Sequence, residues 1–253
     1  MERLFITPGL RIDDHQLFDT ETTYKLSIAY LLPTQTRLKG NFGTGFKAPS
    51  LYQLYSTQDF RGGPIGDPNL KPDKSKNYDF GFEHHLLDNK LSFGATYFHN
   101  KFKNMVDYDL TLNKYKNIGQ AWTKGFEIES TYKPIKTFKV SFNYTHMKTK
   151  DKETGLKLAR RPENQAGLNT NWVFREKANF NLRTTYNDYN WNNGANTQKV
   201  KPYIKVDLST YYDLTKNFHF FCRIENLFDR KYEEVRGYAT LGRSFYAGVK
   251  EKF

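Results

Sequence analysis

The side chains that could do metal or acid–base chemistry sit at spacings that work against it. His84 and His85 are adjacent. Neighbours on an extended strand leave opposite faces, so these two cannot grip one ion. Asp13, Asp14 and His15 offer three potential ligands in a row, a triplet common in exposed loops. Glu127 and Glu129 share one face of a strand, with Lys124 near in sequence, and read as water-facing charges. The single Cys222 continues the spacing of Phe218, Phe220 and Ile224, which marks it as a small apolar filler rather than a nucleophile. One cysteine also excludes an internal disulfide. There is no glycine-rich phosphate loop, no nucleophile elbow and no paired metal-ligand spacing. The expectation is a protein that is not an enzyme, with no cofactor and no metal site.

What remains is binding chemistry. Tyr52, Tyr55, Phe60 and Arg61 fall together, as do Tyr108 and Tyr115. Trp191, Asn192 and Asn193 form a third group, Arg236 and Tyr238 a fourth. Aromatic faces can cover an apolar or macrocyclic ligand, while Asn and Arg fix its polar rim. These are the candidate ligand-binding residues, and all of them lie in gaps between strongly patterned segments.

The patterned segments alternate with period two, the signature of half-buried strands. Ile204, Val206, Leu208, Thr210 and Tyr212 alternate with Lys205, Asp207, Ser209 and Tyr211. Phe180, Leu182, Thr184 and Tyr186 repeat the pattern, and Tyr24, Leu26, Ile28 and Tyr30 begin it. The last stretch, GRSFYAGVKEKF, places Phe245, Ala247, Val249 and Phe253 on one face. Twelve such strands are expected, from residues 3–12 to 243–253. No 11-residue stretch has a clean helical period. Short connections are expected at 32–36, 87–90, 133–137, 174–178 and 214–217. Long ones are expected at 13–20, 46–75, 104–120, 149–163, 190–201 and 229–242. Short turns at one end and long loops at the other are the layout of a transmembrane barrel. A β-sandwich would alternate too, but has no reason to alternate its connection lengths so regularly.

Composition agrees. Only 38% of residues are hydrophobic and mean hydropathy is −0.79, yet 17% are aromatic. Disordered chains are poor in aromatics. Strands that are apolar on one face and polar on the other average to such values. No run of 18 apolar residues is present, so no helix spans a membrane, which says nothing about barrel strands. The net charge of +12 is spread along the chain and reads as solvated charge rather than a nucleic-acid surface. The N-terminal MERLFITPGLRIDD has no apolar core and no small-residue cleavage site, so it is not expected to be a signal peptide. The face of Ile204, Val206, Leu208, Phe220 and Ile224 is expected against lipid. Lys205, Asp207, Arg223 and Glu225 are expected on the lumen side.

Three stretches carry more than periodicity: NFGTGFKAPSLYQLYS (41–56), GDPNLKPDKSKNYDFGFE (66–83) and ENLFDRKYEE (225–234), the last followed by the terminal strand. In this order they resemble the C-terminal half of the barrel of TonB-dependent outer-membrane receptors. ITPGLRIDDH (6–15), WTKGFEIESTYKP (122–134) and RPENQAGLN (161–169) look like the cobalamin receptor group of that family. Asp73 departs from the pattern, where Glu is more usual. The resemblance implies an all-β fold, an antiparallel transmembrane barrel portion of about 12 strands, over residues 1–253. It would be the second half of a 22-stranded barrel, with the plug domain absent. The implied function is energy-coupled uptake of a scarce bulky nutrient through a bacterial outer membrane. Cobalamin is the first expectation, a ferric siderophore or haem the alternative. The implied partners are outer-membrane lipid and a TonB-type coupling complex engaged through the missing N-terminal part, with no nucleic acid.

The motifs also have readings of their own. Pro49 is expected to end a strand, since proline cannot donate to a ladder. Leu51, Tyr52, Leu54 and Tyr55 make a short amphipathic turn that can fold back over the lumen. Pro68 and Pro72 are expected to hold an extended segment, leaving Lys71, Asp73 and Lys74 to pair with lumen charges. Asn226 and Asp229 are expected to cap a strand exit. Two other functions compete: a passive 12-stranded channel, which has no need of proline-locked loops, and a soluble basic β protein binding nucleic acid, whose apolar strand faces would aggregate in water. With the strands of a larger barrel missing, the sheet is expected to stay open rather than close on itself.

Overall fold

A computed structural model of the chain describes residues 3–57, 63–109, 112–175 and 177–251. The strands are β1 (Leu4–His15), β2 (Asp19–Leu31), β3 (Thr36–Lys47), β4 (Asp73–Leu86), β5 (Leu91–Asp109), β6 (Lys114–Ile135) and β7 (Phe138–Asp151). They continue as β8 (Asn164–Phe174), β9 (Ala178–Asn187), β10 (Asn190–Trp191), β11 (Lys199–Val200), β12 (Tyr203–Asp213), β13 (Phe218–Glu225) and β14 (Ser244–Glu251). Twelve of them form one antiparallel sheet in strict sequence order, and β10 and β11 pair as a separate two-residue ribbon. Among the described residues β1 and β14 do not pair with each other, so the sheet is open with two free edges.

The register turns each strand's alternation into continuous rows across the sheet. Ile28 faces Ile6 on one side and Gly40 on the other, and Gly40 faces Phe80. Phe80 faces Tyr97, which faces Phe126. Farther on, Leu208 lies between Leu182 and Ile224, and Ile224 faces Phe245. Directly opposed residues share a face, so all twelve strands present one apolar face. Its side chains stand out in the open: Leu10 is 71% exposed and Phe245 67%. The other face carries the polar set. There Lys205 pairs with Asp207 at 3.2 Å and Arg223 with Glu225 at 3.2 Å. Asn171 and Asn179 exchange amide hydrogen bonds of 3.0 and 3.2 Å. Cys222 lies between Thr210 and Ala247 on the apolar face, as its spacing predicts.

Among the described residues there is no central hydrophobic core. The buried apolar side chains include Leu54, Ile65, Leu70, Leu158 and Val200, and these sit in or beside the long connections. Packing therefore anchors loops, while the ladder holds the sheet. An apolar face exposed over twelve strands is stable only against hydrocarbon or another apolar surface.

Short connections close one rim, at 32–35, 87–90, 136–137, 175–177 and 214–217. The opposite rim carries connections at 48–72, 152–163, 188–202 and 226–243. Two expected long loops on that rim are corrected. Between β1 and β2 only residues 16–18 remain outside strands, and between β5 and β6 only 110–113. Asp13 pairs with Glu21 and Asp107 with Lys116 in ladders that keep one register, so polar residues expected in loops extend the hairpins. At ~3.3 Å per residue, the 22 residues of β6 far exceed a ~30 Å hydrocarbon core even when tilted. The β5–β6 ribbon stands clear of it. Phe253 lies outside the described residues.

The face assignment has a direct test. Leu208→Arg should destabilise the whole protein by ~2–4 kcal/mol when it folds into lipid vesicles, and Ser209→Arg on the polar face by much less. Equal costs would overturn the assignment.

Candidate functional site

The long connections share one rim and are tied to one another in a chain of contacts. Residues 48–72 begin with Ala48 and the buried Pro49, just past the end of β3. Helix α1 (Leu51–Tyr55) comes next. The Ser50 hydroxyl accepts the Gln53 N–H at 3.2 Å, and the Gln53 side chain accepts the Ser50 N–H at 2.9 Å. This reciprocal cap offsets the cost of so short a helix. Leu54, 2% exposed, anchors it, whereas Tyr52 and Tyr55 are exposed. The Ser56 carbonyl accepts the N–H groups of Ile65 and Gly66 at 3.2 and 3.0 Å. A Cβ at Gly66 would stand 2.8 Å from the Leu54 carbonyl, so only glycine lets the loop close over the helix. Pro68 sits in a turn in which the Leu70 N–H returns to the Asp67 carbonyl at 3.2 Å. That corrects the extended segment expected there, because the Asp67 carboxylate also accepts the Asn69 N–H at 2.9 Å and stabilises the turn.

This loop leans on the β5–β6 ribbon. The Tyr115 N–H donates to Ile65 at 2.8 Å, and Lys114 pairs with Asp67 at 3.3 Å. The Asn117 amide bonds both ways with the Lys71 backbone, at 2.8 and 2.9 Å. Asp73 accepts the Val106 N–H at 2.7 Å, and Lys74 pairs with Glu21 at 2.6 Å. The result is an aromatic group: Tyr52 meets Tyr115 edge-on at 6.2 Å, and Tyr115 meets Tyr108 at 5.0 Å. Three of the candidate tyrosines thus converge from segments more than 50 residues apart. Tyr55 is exposed beside them on the same helix. Phe60 and Arg61 lie outside the described residues.

A second group forms where 152–163 meets 188–202. The Lys157 N–H donates to the Asn196 side chain at 3.0 Å, and that amide returns to the Lys157 carbonyl at 2.9 Å. The Arg160 N–H donates to the Trp191 carbonyl at 2.6 Å. Lys199 lies over both Tyr189 (4.7 Å) and Trp191 (4.8 Å), two rings set edge-on at 6.4 Å. Asn192 is buried. Its side chain accepts the Arg236 N–H at 3.1 Å and so joins this loop to 226–243. Asn193 accepts the N–H groups of Thr197 and Gln198 at 3.1 and 3.2 Å. Both asparagines spend their amides on the loops, so contact with a ligand would compete with these bonds. The Arg236 side chain and Tyr238 are exposed. Tyr189, Lys199 and Asn196 were not among the sequence candidates, although Tyr189 and Trp191 stand two apart in one short stretch.

The loops fold over the polar face. Thr149 is buried there and its hydroxyl accepts the Leu158 N–H at 3.0 Å. Lower on that face a hollow of about 110 Å³ is lined by Lys39, Glu83, Glu127 and Glu129. Glu83 is engaged by Arg37 and by His85 at 3.1 Å, while His84 bonds Thr36 at 2.8 Å on the opposite face. Lys124, near Glu127 in sequence, lies on the apolar-face parity with Phe126 and is not part of this hollow. At the β1–β2 hairpin, Asp13 pairs with Arg11, and Asp14 accepts the Thr20 hydroxyl at 3.1 Å. Among the described residues no group of three metal-ligating side chains converges. At the exit of β13, Asn226 is 2% exposed, bonds the Arg230 N–H (2.8 Å) and carbonyl (2.9 Å), and takes a positive φ of 52°. Asp229 accepts the Arg243 N–H at 2.8 Å. Both cap as their types predict.

Residues 1–227 match the family described as "TonB dependent receptor-like, beta-barrel". The chain is 29% identical over 97% of its length to the vitamin B12 transporter BtuB of Photobacterium profundum, and 28% identical over its full length to that of Vibrio cholerae. It spans 40% of the length of these curated relatives. A crystal structure of the ferric enterobactin receptor from Pseudomonas aeruginosa superposes on the whole chain with a TM-score of 0.79 and 25% identity, over 44% of that receptor.

The Lys157–Glu163 pair (2.6 Å) yields a pH prediction. The Lys157 side chain bonds Glu163 and holds its carboxyl below the usual 4.5, and the same bond raises the Lys157 ammonium above 10.5. The depressed acid contributes above pH 4.5 and is lost as pH falls below it. The raised base contributes below pH 10.5 and is lost above. The tether is therefore full between these limits. Glu163→Gln should cost under ~1 kcal/mol, since the pair is partly exposed. It should speed hydrogen exchange at the Leu158 amide while leaving Leu208 unchanged, and acidification below pH 4.5 should do the same to the unmodified protein. Unchanged exchange at Leu158 in both cases would overturn the tether.

Proposed function

Because the chain belongs to the TonB-dependent receptor-like β-barrel family, we propose that residues 1–253 form the loop-bearing part of one barrel domain in a bacterial outer-membrane receptor. That receptor imports a scarce, bulky nutrient, with cobalamin as the ligand. The apolar face contacts outer-membrane lipid, and a TonB-type complex supplies energy through parts of the protein outside this chain. It is a receptor rather than an enzyme, and its positive charge serves the lumen and loops, not a nucleic acid.

One observation carries the reading: the aromatic loop groups hang on one rim and fold over the polar face. Tyr52, Tyr108 and Tyr115 give a wall of ring edges, and Tyr189 and Trp191 a second. Flat aromatic surface suits a large macrocycle, and exposed Arg236 and Tyr238 can reach its polar rim. The B12 transporters among the relatives favour cobalamin. The superposition on an enterobactin receptor keeps a ferric chelate as the second reading, for which the same aromatic wall would serve. A passive channel is disfavoured, because a simple pore gains nothing from a capped helix locked under Gly66.

Deleting residues 52–62 from the complete receptor carrying this chain should abolish high-affinity cobalamin uptake without removing the protein from the membrane. Loss of ferric-chelate uptake with cobalamin uptake intact would select the second reading. Survival of both would reject these residues as the binding surface.

A further inference from the structure

The lysines on the apolar face are confined to one corner of it; its other charges include the acidic Asp14 at the β1–β2 hairpin and Glu251 at the short-turn rim. Lys76 on β4 directly opposes Lys101 on β5. Lys101 opposes Trp122 on β6, which opposes Lys150 on β7. The next row toward mid-sheet runs Tyr78, His99, Lys124 and Lys148. The row beyond that is Phe80, Tyr97 and Phe126. On the rim side, Lys103 opposes Lys74. All seven lysines are exposed.

Among the described residues, Lys74 alone of the seven has a carboxylate partner, Glu21. Among the described residues the other six make no ion pair. Lys101 and Lys124 instead lie over Tyr78 (5.7 Å) and Trp122 (4.9 Å). Like charges directly opposed on a sheet are destabilising, and here Lys76 opposes Lys101 and Lys124 opposes Lys148 with none of the four in an ion pair among the described residues. Toward the same rim, the apolar face of β8, β9, β12 and β14 carries Asn164, Tyr186, Ile204 and Phe245. At the short-turn rim it carries residues such as Leu86, Tyr132 and Trp172. The opposite face of β4–β7 at the lysine level holds Ser75, Asn77, Asn100 and Thr123. A uniformly basic chain would not segregate its lysines in this way.

We propose that this corner is a docking surface for phosphate-bearing lipid headgroups of the leaflet it faces. The inference rests on the membrane reading above. The aromatic row lies where ring side chains meet the interface, and the ammonium groups stand just beyond it at headgroup depth. There they form charge-assisted bonds to phosphate oxygens, while acyl chains lie along Phe80, Tyr97 and Phe126. A lipid fits better than free phosphate because the charged rows continue into the apolar ones without a break.

The test uses the whole protein carrying this chain, inserted into phosphatidylcholine vesicles with or without a bis-phosphorylated glycolipid. The readout is glycolipid retained per protein after extraction into detergent. Lys76→Gln, Lys101→Gln, Lys124→Gln and Lys148→Gln combined should lower retention at least tenfold. The control combination Lys90→Gln, Lys133→Gln, Lys139→Gln and Lys216→Gln removes equal charge and should leave retention unchanged. Equal retention by the two overturns the proposal, as does displacement of glycolipid by inorganic phosphate at matching phosphate concentration. If the first variant does not insert, arginine at the same four positions must preserve retention, and retention by the unmodified protein must fall with added salt. Failure of either overturns the proposal. Insertion of the unmodified protein without glycolipid retention overturns the docking surface alone, whereas failure to insert into any vesicle overturns the membrane reading and the docking surface with it.

Discussion

Satisfying the backbone without water is the constraint from which the architecture follows. Each amide facing hydrocarbon must find a carbonyl on a neighbouring strand, because an unpaired group there costs several kcal/mol. The antiparallel ladder meets that demand across ten of the twelve strands on both sides, and leaves β1 and β14 with one unpaired edge each. Once the ladder is fixed, the faces are fixed as well. Period-two geometry sends alternate side chains to opposite sides, and the pairing aligns them into rows. The sheet therefore needs no packed interior. Its few buried apolar residues, Leu54 and Val200 among them, serve the loops instead.

That division of labour explains what can be read in the amino-acid sequence. The alternation of Ile204, Val206 and Leu208 exists because one face meets an apolar medium, so strands inside that zone announce themselves. The ladder itself needs no such pattern. Asp13 with Glu21 and Asp107 with Lys116 keep pairing where both faces are wet, and there a strand looks like a loop. The same reason hides the lysine rows. Lys101 and Lys124 continue the parity of Tyr97 and Phe126 beyond the point where the residues stop being apolar.

The loop chemistry was legible by residue type and illegible by partnership. Tyrosine, tryptophan and asparagine in long gaps mark the candidate rim, and Tyr52, Tyr108 and Tyr115 do converge. Which of them meet depends on backbone bonds such as Tyr115 to Ile65, and no spacing encodes these. Asn192 and Asn193 look like ligand-facing amides in the sequence, yet in the fold they brace loops. Lys199 becomes notable only through the rings beneath it.

The strict sequence order of the sheet has an evolutionary consequence. Each strand pairs with the strand before and the strand after it, and every hairpin carries its own register. An insertion in one connection therefore leaves the pairing elsewhere untouched, so the six connections of the long-loop rim are free to change length independently. A common scaffold of this kind can diversify what it recognises by editing loops while its ladder stays under a single unchanging selection. Connections bonded to a neighbour are the exception, such as those joined by Asn192–Arg236 and Asn196–Lys157 and the 48–72 connection bonded to the β5–β6 ribbon through Lys71–Asn117. There, change on one side must be matched on the other, and those pairs are where co-variation between distant positions should concentrate.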